Sequence, residues 1–332
     1  MTDTFKALLA TENDEGKAVC NFTDLTLDDL PEGDTVVQVA YSTLNYKDGL
    51  AINGNRGKIM HSLPMTPGID LCGTIISTDN SDYQPGDEVI ITGWGLSEWE
   101  WGGYTQMARV QSEWLVKLPE GMSLQQSMAI GTAGFTAMLA VMGLENMDIT
   151  PDSGDILVTG AAGGVGSVAV SILAKLGYNV VASTGRAETH DYLKSLGATS
   201  FVDREDLSGE ARPMARALWA GAIDTVGSNI LANVIPKINN NGAVSVCGNA
   251  AGFDLSTTVL PLILRGVSLI GINSVYVPTK RRADAWRRLA SDLDMALLDS
   301  MTNVVPFDEL IPLSKEILKG QVRGRTVVDV NT

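Results

Sequence analysis

The chain has 332 residues, 45% hydrophobic and 19% charged, which excludes a disordered protein and allows two packed domains. Its formal net charge of −15 repels phosphate backbones and argues against a nucleic-acid partner. The three cysteines, Cys20, Cys72 and Cys247, form no CxxC pair, which argues against a thiolate zinc cluster and suits a reducing compartment.

The first residues lack a basic segment followed by a long apolar run, so no signal peptide is expected. No run reaches about 18 apolar residues, so no membrane span or membrane partner is expected. Short β segments are predicted at 5–10, 35–42, 73–77, 88–92, 104–110 and 115–117. The breakers Pro31-Glu32-Gly33-Asp34, Pro67-Gly68, Pro85-Gly86-Asp87 and Pro119-Glu120-Gly121 separate them. Closely spaced short strands suggest a partly closed β-barrel. Ser123 and Gln126 read as the cap and third position of a helix over 123–129, and a Met- and Ala-rich helical stretch follows over 132–144.

From 155 to 274 strands and helices alternate. Strands are predicted at 155–159, 179–183, 200–203, 222–226, 243–247 and 268–272, with helices at 164–176, 188–196, 230–238 and 257–264. Apolar strands in this alternation indicate an α/β fold: a doubly wound, six-stranded parallel sheet of Rossmann type. A charged helix over 281–293, a second over 311–319 and a strand over 325–330 end the chain. The last strand needs a partner, and the N-terminal β region offers one. A discontinuous β domain, 1–125 plus 276–332, is therefore expected around a nucleotide-binding domain at 126–275.

The clearest local signal is Ile156-Leu157-Val158-Thr159-Gly160-Ala161-Ala162-Gly163-Gly164-Val165-Gly166. A buried strand runs into a glycine turn that opens a helix, in the pattern AxGxxG. Backbone N–H groups at Ala162, Gly163, Gly164 and Val165 suit a pyrophosphate, aided by the positive end of the helix. The second strand ends Ser183-Thr184-Gly185-Arg186, with no acid to hold a ribose 2′-OH. Thr184, Gly185 and Arg186 suit a 2′-phosphate, and Arg204 after the third strand suits the adenine edge, so NADPH is expected over NADH. Asn249 and Ser274 follow the fifth and sixth strands, where such sheets bind ligands, and are candidates to border the nicotinamide.

Several motifs occur together: Leu44-Asn45-Tyr46-Lys47-Asp48, Pro67-Gly68-Ile69-Asp70-Leu71-Cys72-Gly73, Gly86-Asp87-Glu88-Val89, Gly131-Thr132-Ala133-Gly134-Phe135-Thr136-Ala137 and the Ala161–Gly166 turn. Their order resembles the medium-chain, quinone oxidoreductase-like dehydrogenase/reductases over essentially the whole chain. Thr92-Gly93-Trp94-Gly95, residues 130–138, residues 219–227 and Gln321-Val322-Arg323-Gly324-Arg325-Thr326 resemble the acrylyl-CoA reductase subgroup. The resemblance implies a GroES-like catalytic domain and NADPH-dependent reduction of acrylyl-CoA to propionyl-CoA by hydride transfer to the β-carbon. It also implies a cytoplasmic homodimer serving three-carbon acid metabolism, including dimethylsulfoniopropionate breakdown. Zinc members carry Cys near position 46 and His-Glu after the Pro-Gly turn; here these places read Asn45-Tyr46-Lys47 and Ile69-Asp70. His61 and His190 lie far apart, so no metal is expected.

Tyr46 reads as part of a polar loop after the strand ending at Ser42 and is the candidate proton donor. The resemblance places it at the cofactor; the alternative is a tyrosine packed at the barrel edge with its hydroxyl on a backbone carbonyl. Asn45 and Asp48 are expected to order that loop. Trp94, Trp99 and Trp101 are expected either to pack in the barrel or to wall a substrate cleft. Coenzyme A would need basic neighbours, the candidates being Arg56, Lys58, Arg265, Lys280, Arg281, Arg282 and above all Arg323. A quinone or enone reductase without coenzyme A, and a non-enzymatic NADPH-binding sensor, are the alternatives. The apolar stretch 267–272 is the expected means of dimerisation.

Overall fold

The computed structural model describes residues 4–55 and 57–332. The chain divides into two compact units: one takes the N-terminal region up to Thr132, Val275–Ala290 and Leu298–Thr332, the other Ala133–Ser274 and Ser291–Leu297.

In the first unit β1 (Phe5–Glu12) and β2 (Ala18–Leu25) form an antiparallel hairpin. Strand β2 was not expected; most of its residues are only half-buried and carry little alternation. Then come β3 (Thr35–Thr43), helix α1 (Tyr46–Ile52), β4 (Asp70–Thr78), β5 (Glu88–Thr92), β6 (Met107–Val110) and β7 (Val116–Lys117). Helix α2 spans Leu124–Glu145, and the boundary expected at 125/126 lies within it. Ser123 caps it as expected: its Oγ accepts the Gln126 N–H at 3.1 Å, and Gln126 Oε1 accepts the Ser123 N–H at 3.1 Å. Gly131 interrupts the helix with φ 49° and ψ −160°, which is where the two expected helical stretches meet. By length and composition α2 is apolar enough to cross a membrane, but 89% of its most apolar window is buried inside the protein.

The second unit continues with β8 (Ile156–Thr159), α3 (Gly164–Lys175), β9 (Val180–Thr184), α4 (His190–Ser195), β10 (Ser200–Asp203), β11 (Trp219–Asp224), α5 (Ser228–Val234), β12 (Ile238–Val246), α6 (Leu260–Arg265) and β13 (Ser268–Gly271). Its six strands lie in the order β10-β9-β8-β11-β12-β13, all parallel, which is the doubly wound dinucleotide order. Ile156, Leu157 and Val158 of β8 are fully buried, as a central strand covered on both faces requires. Strand β12 starts earlier than expected, because Ile238 pairs with Trp219 across an asparagine run that reads as a turn.

The chain closes with α7 (Thr279–Asp292), α8 (Met295–Ser300), β14 (Thr302–Pro306), α9 (Leu310–Leu318) and β15 (Arg325–Asp329). Strand β15 pairs antiparallel with β3, which gives the sheet order β14-β15-β3-β4-β5-β7, with β6 also on β3. The last strand thus returns to the N-terminal β region, as its sequence required. Val37, Val39, Leu71, Ile75, Val89 and Ile91 build the core of this unit, and Cys72 and Ile90 between them are buried as well. Each such side chain contributes about 1.5–3 kcal/mol on burial. The β3–β4 register, Ser42 opposite Leu71, brings the end of β3 beside the start of β4.

Candidate active site

In the first unit a polar cluster forms where β3 ends and β4 begins. The carboxylate of Asp70, fully buried, accepts hydrogen bonds from Thr43 Oγ1 at 2.5 Å, Asn45 Nδ2 at 2.9 Å, Thr132 N at 3.0 Å and Thr132 Oγ1 at 2.5 Å. Asp48, also fully buried, accepts the N–H groups of Asn45 at 2.9 Å and Ile69 at 3.0 Å. Arg325 donates through Nε to Ala129 O at 2.6 Å and reaches Asn45 Oδ1 at 3.4 Å. Burial, then the charge of Asp70, push the Asp48 carboxyl up to about 7, against the hydrogen bonds from Asn45 and Ile69. The Tyr104 hydroxyl donates to Thr43 O at 2.7 Å, and burial raises its pKa well above the ordinary range.

Tyr46 does not lie in a loop. Asn45 caps α1 and Asp48, at its third position, bonds back to the Asn45 N–H, so Tyr46 is the first helical residue. The expected ordering by Asn45 and Asp48 is therefore a helix cap. Tyr46 is 54% exposed, while its neighbours are held inward. Lys47 forms an ion pair with Glu98, and burial lowers its pKa.

In the second unit Gly160 has φ 60°, and a Cβ there would lie 2.3 Å from Thr225 Oγ1. A Cβ on Gly166 would lie 2.4 Å from Gly160 O, so only glycine lets α3 pack on the turn. Asp224, fully buried at the end of β11, accepts Thr159 Oγ1 and the Gly227 N–H, each at 2.7 Å. Thr159 Oγ1 in turn accepts the Thr225 N–H at 3.0 Å. This clamp fixes the ends of β8 and β11, where the glycine turn begins. Gly163 caps α3 with no side-chain hydrogen bond, so no side chain competes for the helix N-terminus that Ala162–Val165 line. The Arg204 guanidinium lies against Gly185, its Cζ 2.8 Å from where a Cβ would stand. Two cationic residues, Arg186 and Arg204, thus flank the end of β9. The donor set fits a dinucleotide diphosphate and an additional phosphate.

Other expected site residues are dispersed. Asn249 is exposed after β12, and Ser274 is half-buried after β13. Arg323 is exposed between α9 and β15. Arg282 is not available to a phosphate: it is buried and donates to Thr92 O at 2.6 Å and Val275 O at 3.1 Å. Arg265 is likewise occupied by the carbonyls of Ala215, Pro236 and Ile238. Lys58, Lys280 and Arg281 are exposed, and Arg56 lies outside the described residues. Trp101 packs into two apolar clusters, whereas Trp99 is 59% exposed. His61 stacks on Trp99 and His190 on Phe201. Among the described residues no group of three His, Cys, Asp or Glu side chains is arranged to hold a metal ion.

Asp70, Thr132, Arg325, Thr159 and Asp224 all lie within the motifs read from the sequence, which assign none of them a role of its own. The signal available was a polar residue inside each motif; Asp70, Thr132 and Arg325 come together only through the β3–β4–β15 pairing and α2, and Thr159 and Asp224 only through the β8–β11 pairing.

Two family models match: the alcohol dehydrogenase GroES-like domain over residues 31–120 and the zinc-binding dehydrogenase model over residues 164–291. The chain is 50% identical to the acrylyl-CoA reductase AcuI of Ruegeria pomeroyi, over 98% of this chain and 99% of that one. The chain belongs to the acrylyl-CoA reductase subgroup of the medium-chain dehydrogenase/reductases. Solved structures agree with this membership. The yhdH oxidoreductase of Salmonella enterica, in complex with NADP, superposes with TM-score 0.95 at 48% identity, covering 98% of this chain and 99% of that one. The yhfP protein of Bacillus subtilis, with NAD bound, gives TM-score 0.95 at 42% identity, covering 98% and 99%. The cluster around Asp70 and the glycine turn are thus parts of an acrylyl-CoA reductase family fold.

Proposed function

We propose that the protein reduces acrylyl-CoA to propionyl-CoA with NADPH. The observation that carries this reading is the 50% identity with the Ruegeria reductase, which runs through both units. When bound, NADPH supplies a hydride, which adds to the β-carbon of the unsaturated thioester. The chain must bind both molecules, stabilise the negative charge that grows on the thioester oxygen, and let a proton reach the α-carbon.

Ala162, Gly163, Gly164 and Val165 hold the diphosphate; Thr184, Gly185, Arg186 and Arg204 hold the 2′-phosphorylated adenosine. Asn249 and Ser274 border the nicotinamide end. Asn45 spends its side-chain amide within the cluster, on Thr43 Oγ1 at 2.6 Å and Asp70 at 2.9 Å, so it positions its neighbour. Tyr46, exposed on the first turn of a capped helix, is the group assigned to the nicotinamide ring and the thioester oxygen. Tyr46→Phe should lower kcat about a hundredfold, the scale of a lost general acid. Arg323 is the candidate for the coenzyme A phosphates.

The same proposal includes a cytoplasmic homodimer acting in three-carbon acid metabolism, including dimethylsulfoniopropionate breakdown. Free Cys20, Cys72 and Cys247 support a reducing compartment. The outer edge of β13 and the exposed apolar residues Val259, Ile263, Leu264 and Leu269 support dimerisation. The test is kcat/KM for acrylyl-CoA, crotonyl-CoA, free enones and quinones with each nicotinamide cofactor. Acrylyl-CoA with NADPH should lead; a higher value for a quinone would replace this reading with the quinone reductase.

A further inference from the structure

The segment joining β5 to β6 is shaped more strongly than a connection requires. Trp94 and Ser97 hold φ values of 56° and 65°, which bulky and hydroxyl residues rarely adopt. The Trp94 Nε1–H and the Ser97 hydroxyl are buried without a hydrogen-bond partner. Three N–H groups, of Glu98, Trp99 and Glu100, converge on Gly95 O. Glu98 is tied twice, by the ion pair to Lys47 and by the His61 N–H on its carbonyl at 2.8 Å. The Arg282 guanidinium lies over the Trp94 ring at 4.8 Å.

This scaffold fixes one side chain that the proposed chemistry does not use. The Trp99 indole lies parallel to the His61 imidazole, with centroids 4.0 Å apart and planes 8° apart. Trp99 nevertheless remains 59% exposed. An indole that is oriented, backed on one face and open to solvent suits a flat π partner, because base–aromatic stacking needs no hydrogen-bond readout. Lys47 follows Tyr46 directly, so its ion pair with Glu98 anchors the shelf to the start of α1. Lys58, three residues before His61 in the chain, is exposed.

We propose that the Trp99–His61 stack is the shelf for the adenine ring of the coenzyme A thioester. The inference rests on the acyl-CoA reading and names a contact for the far end of that substrate, separate from its reacting carbons.

The test compares acrylyl-CoA with the truncated N-acetylcysteamine thioester, which has no adenine. Trp99→Ala should raise KM for acrylyl-CoA about tenfold, within the range of one lost base–aromatic stack, with little effect on kcat. The KM advantage of acrylyl-CoA over the truncated thioester should shrink by the same factor, and Trp99→Phe should restore most of it. Calorimetric titration of coenzyme A into the NADP-saturated protein should show the same order of affinity. An equal KM rise for both thioesters, or no rise for either, would overturn the shelf. Failure of the unaltered protein to reduce either thioester would instead remove the reductase reading; the calorimetric order would then decide the shelf alone.

Discussion

Thr132 grips Asp70 twice, with its N–H at 3.0 Å from Oδ2 and its hydroxyl at 2.5 Å from Oδ1. This pair sets the turn at Gly131 in the middle of α2. A Cβ on Gly131 would stand 2.8 Å from Thr43 Cγ2 and 2.9 Å from Asp70 Oδ2, on a backbone with φ 49°. Gly131→Ala should therefore cost about 3 kcal/mol of stability by urea unfolding, from backbone strain plus overpacking. An unchanged midpoint would mean that α2 can straighten.

Asp48 gives the fold a pH dependence of definite sign. Its carboxyl is pushed up to about 7 in the native state, against about 4 in an unfolded chain. Between those values the native protein holds a proton that the unfolded chain releases. This contribution to stability is complete below about pH 4 and falls as pH rises towards 7. Asp48→Asn cannot titrate, so its stability should change less across that window. Urea midpoints for both proteins at several pH values test this; parallel profiles would contradict it.

The glycine turn and the arginines should separate cofactor binding from cofactor choice. Gly166→Ala sets a Cβ 2.4 Å from Gly160 O, so NADPH and NADH binding should weaken together. Arg186→Ala should weaken NADPH about a hundredfold, the loss of a charge-assisted phosphate contact, and NADH little. Fluorescence titration of both cofactors measures this, and equal losses at Arg186 would refute a 2′-phosphate role.

Much of this architecture was legible in the residues. The β8–turn–α3 segment announced itself because buried strand, glycines and helix are contiguous in sequence, and the strand count gave the sheet. The Ser123–Gln126 cap was readable for the same reason. Helix α1 was missed because its seven residues are too few for a period and its cap was read as loop ordering. The cluster at Asp70 was missed as a unit because its members come from residues 43, 45, 70, 132 and 325, joined only by tertiary pairing. Arg282 stood among the basic candidates for coenzyme A, yet with Ala285, Trp286 and Leu289 it lies on the buried face of an amphipathic helix.

The proposed association should depend on the apolar face of α6 that precedes the edge strand β13. Ile263 is 68% and Leu264 64% exposed, and an aspartate at either would bury a charge at an apolar interface. Ile263→Asp should halve the molar mass seen by light scattering while leaving the far-UV circular dichroism in place. A monomer before substitution would remove the dimer.

The most direct test of the account follows a label through the reaction. Acrylyl-CoA is reduced with NADPH deuterated at the transferred position, and the propionyl-CoA is analysed by mass spectrometry and NMR. The account predicts deuterium at the β-carbon and a solvent proton at the α-carbon. Label at the α-carbon, or no propionyl-CoA while the same NADPH reduces a quinone, would contradict it.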